Sequence, residues 1–343
     1  MTLPAFATEP LGFPWQTRDP FLFCVHHLDD YPAGNDQLGP AALLDDRAMG
    51  MDFQLRDGWR MYHGRSVPGF PQHPHRGFET ITVARQDHID HTDSLGAAAR
   101  FGEGDVQWMT AGSGIVHSEM FPLLRSDERN PVELFQIWLN LPARNKMVEP
   151  HFSMLWGHTI PRLHDGNDAA PSVDVAVVAG SLADATAPPP TPSSWASQPG
   201  SEVAIWTLRL DASATYTLPA AVGETVNRSL YFFAGDSIMV NGRLLDQHCA
   251  CHFDTAGQIS LQSGPRATEL LLLQGAPIDE PVAQQGPFVM NSHAELSQAF
   301  SDYQRTQFGE LAESMADPVE NALLPPPPSP TPAAKRSEVP QTA

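Results

Sequence analysis

The chain has 343 residues and is short of cysteine, of basic side chains and of long apolar runs. Its three cysteines, Cys24, Cys249 and Cys251, cannot build a disulfide framework, and the close Cys249/Cys251 pair is poorly spaced for a bridge. A reducing compartment is the simpler expectation. Twenty Lys and Arg stand against 40 Asp and Glu, a formal charge of −20 at pH 7 that repels a polyanion at long range. Direct nucleic-acid binding is not expected, and the charge reads as a solubilising surface. No run approaches the roughly twenty apolar residues that span a bilayer. The opening MTLPAFATEPLGFPW has no basic segment followed by an apolar core, so it does not read as a secretory signal. The expectation is a cytoplasmic protein, nuclear being open in a eukaryote, with no membrane association.

What is present is a chain long enough for two domains, with a hydrophobic fraction of 41% that is compatible with packed cores. Two stretches carry chemistry: Gly69–Glu79, reading GFPQHPHRGFE, and Ala111–Met120, reading AGSGIVHSEM. Along an extended strand successive side chains alternate faces, so His73 and His75 project to one side, as do His117 and Glu119. Both pairs sit where a turn feeds a strand, with Arg76-Gly77 leading into Phe78–Val83 and Ala111-Gly112-Ser113-Gly114 preceding the second pair. An antiparallel barrel brings such inward positions together across a narrow interior. Three imidazoles and one carboxylate form a mixed nitrogen and oxygen site that suits iron, manganese, nickel, copper or zinc.

The remaining histidines among the fourteen read more plainly. His26 and His27 are adjacent, hence on opposite strand faces, and are expected in core or surface roles. His63 is expected at the entrance. His91 and Asp93 share a face but are read as structural, because the ligand set is complete without them. His248-Cys249-Ala250-Cys251-His252 fits an ordinary strand better than a soft-metal site.

The order of glycine, His-x-His, acidic residue and a later glycine turn with His resembles a cupin, and HPHRGFET with QWMTAGSGIVHSEM is similar to the pirin family of bicupins. LFQIWLNLP (Leu134–Pro142), KMVEP (Lys146–Pro150), QGPFVMN (Gln285–Asn291) and Asp19-Pro20-Phe21 extend the likeness over most of residues 10–309. It implies an all-β fold of two cupin-type barrels: a metal-binding N-terminal cupin over 1–150 and a C-terminal cupin without metal ligands over 151–310. A C-terminal helix and a disordered proline-rich tail over 311–343 complete the expectation. The resemblance further implies that His73, His75, His117 and Glu119 hold one divalent transition metal, iron first, with Ni, Mn, Cu, Co or Zn as alternatives. Glu79 stands where many other cupins place a carboxylate ligand, but the pirin pattern sets it behind the ligands.

Pirin-like proteins include quercetin 2,3-dioxygenases and an animal iron-dependent transcriptional coregulator. The first implies opening of quercetin or a related enolizable substrate by dioxygen, with Glu119 as the catalytic base. The alternative is a redox-sensing binding protein that acts through protein partners. An aromatic small molecule, dioxygen and a monomeric chain are the expected partners and state.

Elsewhere, residues 29–62 read as a long surface connection and Asp184–Gly200 as a loop. Val132–Leu141 alternates, with Phe135, Ile137, Leu139 and Leu141 on one face and Gln136, Trp138 and Asn140 on the other. Arg228–Gly235 offers no ligands. Ser292-x-x-Glu295 is a capping-box pattern ahead of Leu296, Ala299, Phe300 and Tyr303 at helical spacing.

Overall fold

The alternating runs become strands of two antiparallel barrels in the computed structural model, which describes residues 3–167 and 170–309. The chain opens with β1 (Phe6–Pro10) and builds the first barrel from β2 (Phe21–Tyr31), β3 (Gly69–His75), β4 (Phe78–Gln86), β5 (His88–Asp93), β6 (Ala98–Gly102), β7 (Val106–Thr110), β8 (Ile115–Met120), β9 (Asn130–Asn140) and β10 (His151–Leu155). The second barrel and its attachments follow as β11 (Arg162–Asn167), β12 (Ala170–Ala179), β13 (Ser181–Leu182), β14 (Ala185–Thr186), β15 (Ala204–Leu210), β16 (Thr215–Leu218), β17 (Asn227–Ala234), β18 (Ile238–Val240), β19 (Arg243–Leu245), β20 (Cys249–Phe253), β21 (Ile259–Ser263) and β22 (Thr268–Gly275). A ribbon of β23 (Ala283–Gln285) and β24 (Phe288–Met290) leads into helix α1 (His293–Thr306). The tail expected beyond residue 310 lies outside the described residues.

The first barrel pairs a five-stranded sheet, β10-β7-β4-β9-β2, with a four-stranded one, β3-β8-β5-β6. The second pairs a seven-stranded sheet, β1-β20-β17-β22-β15-β12-β11, with β16-β21-β18-β19. The two large sheets meet through one apolar cluster, in which Ile81, Phe135 and Ile137 of the first barrel join Ile205, Tyr231 and Leu271 of the second. The interiors differ in kind. That of the second is filled by Leu230, Phe232, Leu270, Leu272, Ile238 and Leu261. The first instead buries Thr80, Thr82, His91, Gln107, His117 and Glu119.

The chain crosses back between barrels on both sides of residue 150. β1 pairs with β20 in the second sheet, and β10 pairs with β7 in the first. The C-terminal ribbon returns to the first barrel, where Val289 N–H donates to Arg76 C=O at 3.0 Å. Lys146, 1% exposed, clamps the same joint by donating to Gly77 C=O at 2.8 Å, Asn140 Oδ1 at 2.7 Å and Val289 C=O at 3.2 Å. Ser292 caps the helix, its Oγ accepting from Glu295 N–H, while a Glu295 carboxylate oxygen accepts from Asn291 N–H, one residue ahead of the N-cap.

One expectation needs correction. Residues 29–62 are not a surface connection throughout, because β2 runs to Tyr31 and Trp59, Met61 and Tyr62 are buried in a cluster with Phe101 and Phe121. The segment lacks periodicity, and its anchors are non-local ones such as Tyr31 Oη donating to Arg60 C=O at 2.8 Å. The stretch 184–200 is the expected loop apart from β14 and one 3-10 turn, and it is tied down at the barrel joint. Thr191 and Ser194 donate to Glu79 across the barrel joint at 3.1 and 2.7 Å.

Candidate metal centre

β3 contains Pro71 and Pro74, which have no N–H to give a ladder. The strand tolerates them because it is the edge of its sheet and pairs only with β8, through a register shift between Phe70 and His73. That pairing sets His73 directly opposite His117. His73, His75 and His117 then present ligand atoms that all lie within 4.8 Å of one another. Their ring centroids are 4.4 to 4.9 Å apart.

The hydrogen bonds around the rings fix what each nitrogen can do. His73 Nδ1 lies 2.8 Å from Pro71 C=O and His75 Nδ1 lies 3.4 Å from Pro287 C=O, so each donates from Nδ1 and keeps an Nε2 lone pair. His117 is fully buried, and neither of its ring nitrogens has a hydrogen-bond partner among the described residues. A buried imidazole with two orphaned nitrogens is costly unless something else binds it. Burial lowers the pKa of His73 to about 4 and those of His75 and His117 well below the usual value, with repulsion from neighbouring imidazoles adding to it. All three rings are therefore neutral at pH 7, the form that ligates. The donor set fits a divalent transition metal.

Glu119 shares the inward face of β8 but stands apart from the trio. Its carboxylate accepts from Thr82 Oγ1 at 2.9 Å and Gln136 Nε2 at 2.8 Å, both on the opposite sheet. Desolvation raises its pKa. Glu79 faces the other way, into the joint between barrels, where Trp108, Thr110, Thr191, Ser194 and the Trp195 N–H donate to it. His91 and Asp93 pair with each other at 3.0 Å, fully buried, and Gln107 lies 3.3 Å from the other His91 nitrogen.

Trp138 and Gln136 do face this interior. Trp138 packs on Phe78 at 4.2 Å between ring centroids and on His75 at 5.5 Å, and its indole N–H is buried without a partner among the described residues. His63 is exposed and meets Phe70 edge to face, and the Phe70 ring lies 6.4 Å from His73. Cys249 and Cys251 are packed in the core of the second barrel, and His252 turns to Ser229 instead. Among the described residues His73, His75 and His117 form the one cluster of metal-ligating side chains. No helix among them is long and apolar enough to cross a membrane.

The pirin family pattern matches residues 13–139 and the pirin C-terminal cupin domain matches residues 205–309. Pirin-1 of Arabidopsis thaliana is 37% identical over 253 residues, covering 71% of this chain and 80% of its own. A Pseudomonas aeruginosa protein named "Putative quercetin 2,3-dioxygenase" is 35% identical over 292 residues, covering 83% and 92%. The crystal structure of quercetin 2,3-dioxygenase from Acinetobacter baumannii superimposes with a TM-score of 0.67 at 25% identity, over 91% of this chain and 97% of that one. With both cupin domains matched, the chain belongs to the pirin family.

Proposed function

We propose that the protein is a metal-dependent dioxygenase that opens quercetin or a related flavonol or enolizable aromatic substrate. His73, His75 and His117 hold the metal in an N-terminal cupin over residues 1–150 that the second cupin supports, and Glu119, which the pirin pattern makes the fourth ligand although it stands outside the three-histidine cluster here, is the proton acceptor. The observation that carries the reading is His117, buried with both ring nitrogens unpartnered inside a cluster of neutral imidazoles. The likeness to proteins named as quercetin dioxygenases supports the substrate class.

A bound divalent ion, for which we take iron, supplies Lewis acidity toward a substrate hydroxyl and a meeting point with dioxygen. The chain's own residues do the rest. Glu119, its pKa raised by burial, takes the hydroxyl proton, and Thr82 and Gln136 hold its carboxylate in place. Phe78 and Trp138 form an apolar wall beside His75 that packs an aromatic ring and excludes water.

Oxygen uptake with quercetin tests this. Metal-dependent uptake that disappears in His73→Ala and His117→Ala is the expected result. Stoichiometric metal without uptake would defeat the dioxygenase reading and turn attention to redox sensing.

A further inference from the structure

β2 and β3 are edge strands of the two sheets of the first barrel, and aromatic rings bring them into contact. Phe70 of β3 meets His27 of β2 at 5.6 Å and His73 at 6.4 Å between ring centroids. The β2–β9 register sets Val25 opposite Gln136 and His27 opposite Leu134, so His27 lies one inward position beyond the residue that holds Glu119. His27 is thus part of the wall of the same interior, although sequence reading gave it no task.

A buried chain of hydrogen bonds backs this ring. Arg60 donates to Asp29 Oδ1 at 3.1 Å, Tyr62 Oη donates to Asp29 Oδ2 at 2.6 Å, and His27 Nδ1 lies 2.8 Å from Tyr62 Oη. Because the Tyr62 proton goes to Asp29, its oxygen accepts from His27 Nδ1–H, which leaves the lone pair on Nε2. That Nε2 is buried and has no partner among the described residues, on a residue 2% exposed. Burial and the positive Arg60 hold His27 neutral, its pKa lowered to about 3. Tyr62 adopts φ +57°, a left-handed conformation that a bulky aromatic residue rarely takes and that persists only when its surroundings enforce it. A strained tyrosine, a buried acid and a buried acceptor without a partner among the described residues are together more than core filling requires.

We infer that His27 is a substrate-binding residue whose Nε2 accepts a hydrogen bond from a hydroxyl of the aromatic substrate, while Tyr62 and Asp29 position the ring. The inference rests on the proposed function, in that a hydroxylated aromatic molecule enters this barrel. His27 selects among aromatic molecules by their hydroxyl pattern, since a ligand without the hydroxyl leaves the acceptor dry and unpaired.

The test is flavonol binding under nitrogen, followed by absorbance of the bound ligand, with quercetin and with flavone, which lacks its hydroxyls. His27→Phe keeps an aromatic ring and removes the acceptor. It is expected to bind quercetin about tenfold more weakly and flavone as the wild type does. His27→Gln, which restores an acceptor at similar reach, is expected to recover most of that loss. Tyr62→Phe is expected to weaken quercetin binding and to shift the 15N resonances of His27 away from the Nδ1–H tautomer. Unchanged quercetin binding in His27→Phe, or equal loss for both ligands, would overturn the inference while leaving the dioxygenase reading intact. Failure of the wild type to bind quercetin would overturn the flavonol reading, and the inference with it.

Discussion

Gly77, the residue after the His-x-His-Arg run, is where the candidate site and the C-terminal ribbon press together, and an added methyl group there separates two sources of cost. Gly77 has φ +84°, and a Cβ on it would lie 2.0 Å from Val289 C=O and 3.0 Å from Met290 Sδ. Gly96 has nearly the same φ, +85°, but nothing within 4 Å. Gly96→Ala therefore reports the left-handed backbone alone, about 1–2 kcal/mol. Gly77→Ala adds overpacking against a backbone oxygen that cannot rotate away, about 1–3 kcal/mol more. The total expected for Gly77→Ala is about 2–5 kcal/mol. It falls on the joint made by Val289 N–H to Arg76 C=O and by the Lys146 clamp, close to the Pro287 carbonyl that orients His75. Urea unfolding of both variants, with metal content measured on each, is the assay. Gly77→Ala should be the less stable and should lose metal, whereas Gly96→Ala keeps it. Equal destabilisation of the two would refute the claim that the C-terminal ribbon buttresses the site.

Other outcomes follow from the same contacts. Lys146, buried, has its pKa lowered to about 8 from 10.5, so the unfolded chain binds more protons between those values and this residue's contribution to stability rises with pH. The stability of wild type relative to Lys146→Met should therefore increase by about 3 kcal/mol from pH 8 to 10.5, read by urea unfolding; no change would place the ammonium in water. The three site histidines, their pKa values lowered by burial, contribute stability that is complete above about pH 6.5 and is lost as pH falls toward His73's value of about 4. Bound metal should likewise persist at pH 5.5 and be released near pH 4, and release centred at pH 6.5 in equilibrium dialysis would contradict the buried, neutral trio. Glu119→Gln, which keeps an oxygen for the metal but removes the base, should retain metal and lower turnover by about a hundredfold or more.

Much of this was legible in the sequence because it is local. Strand alternation placed His73 with His75 and His117 with Glu119, and the capping box announced α1 from four residues. His26 and His27 do occupy opposite faces: His26 turns to Glu133 and His27 to Tyr62. What escaped was non-local. Nothing in Phe6–Pro10 says that it will pair with Cys249–Phe253, and nothing in QGPFVMN says that it will return to the first barrel. Trp59, Met61 and Tyr62 sit in irregular backbone, where burial leaves no period to read. Their apolar density within Gly58–His63 was the available signal. Glu79 shows the same limit, since its donors arrive from both barrels and only the assembled joint explains a buried carboxylate there.

The most direct test of the central claim is elemental analysis of the protein purified without a chelating tag, beside the His73→Ala/His117→Ala double variant. About one transition-metal ion per wild-type chain is expected, iron foremost, and almost none in a variant that still folds. A well-folded wild type that holds no metal, even after exposure to ferrous iron under nitrogen, would contradict it and leave the buried, unpartnered His117 without its explanation.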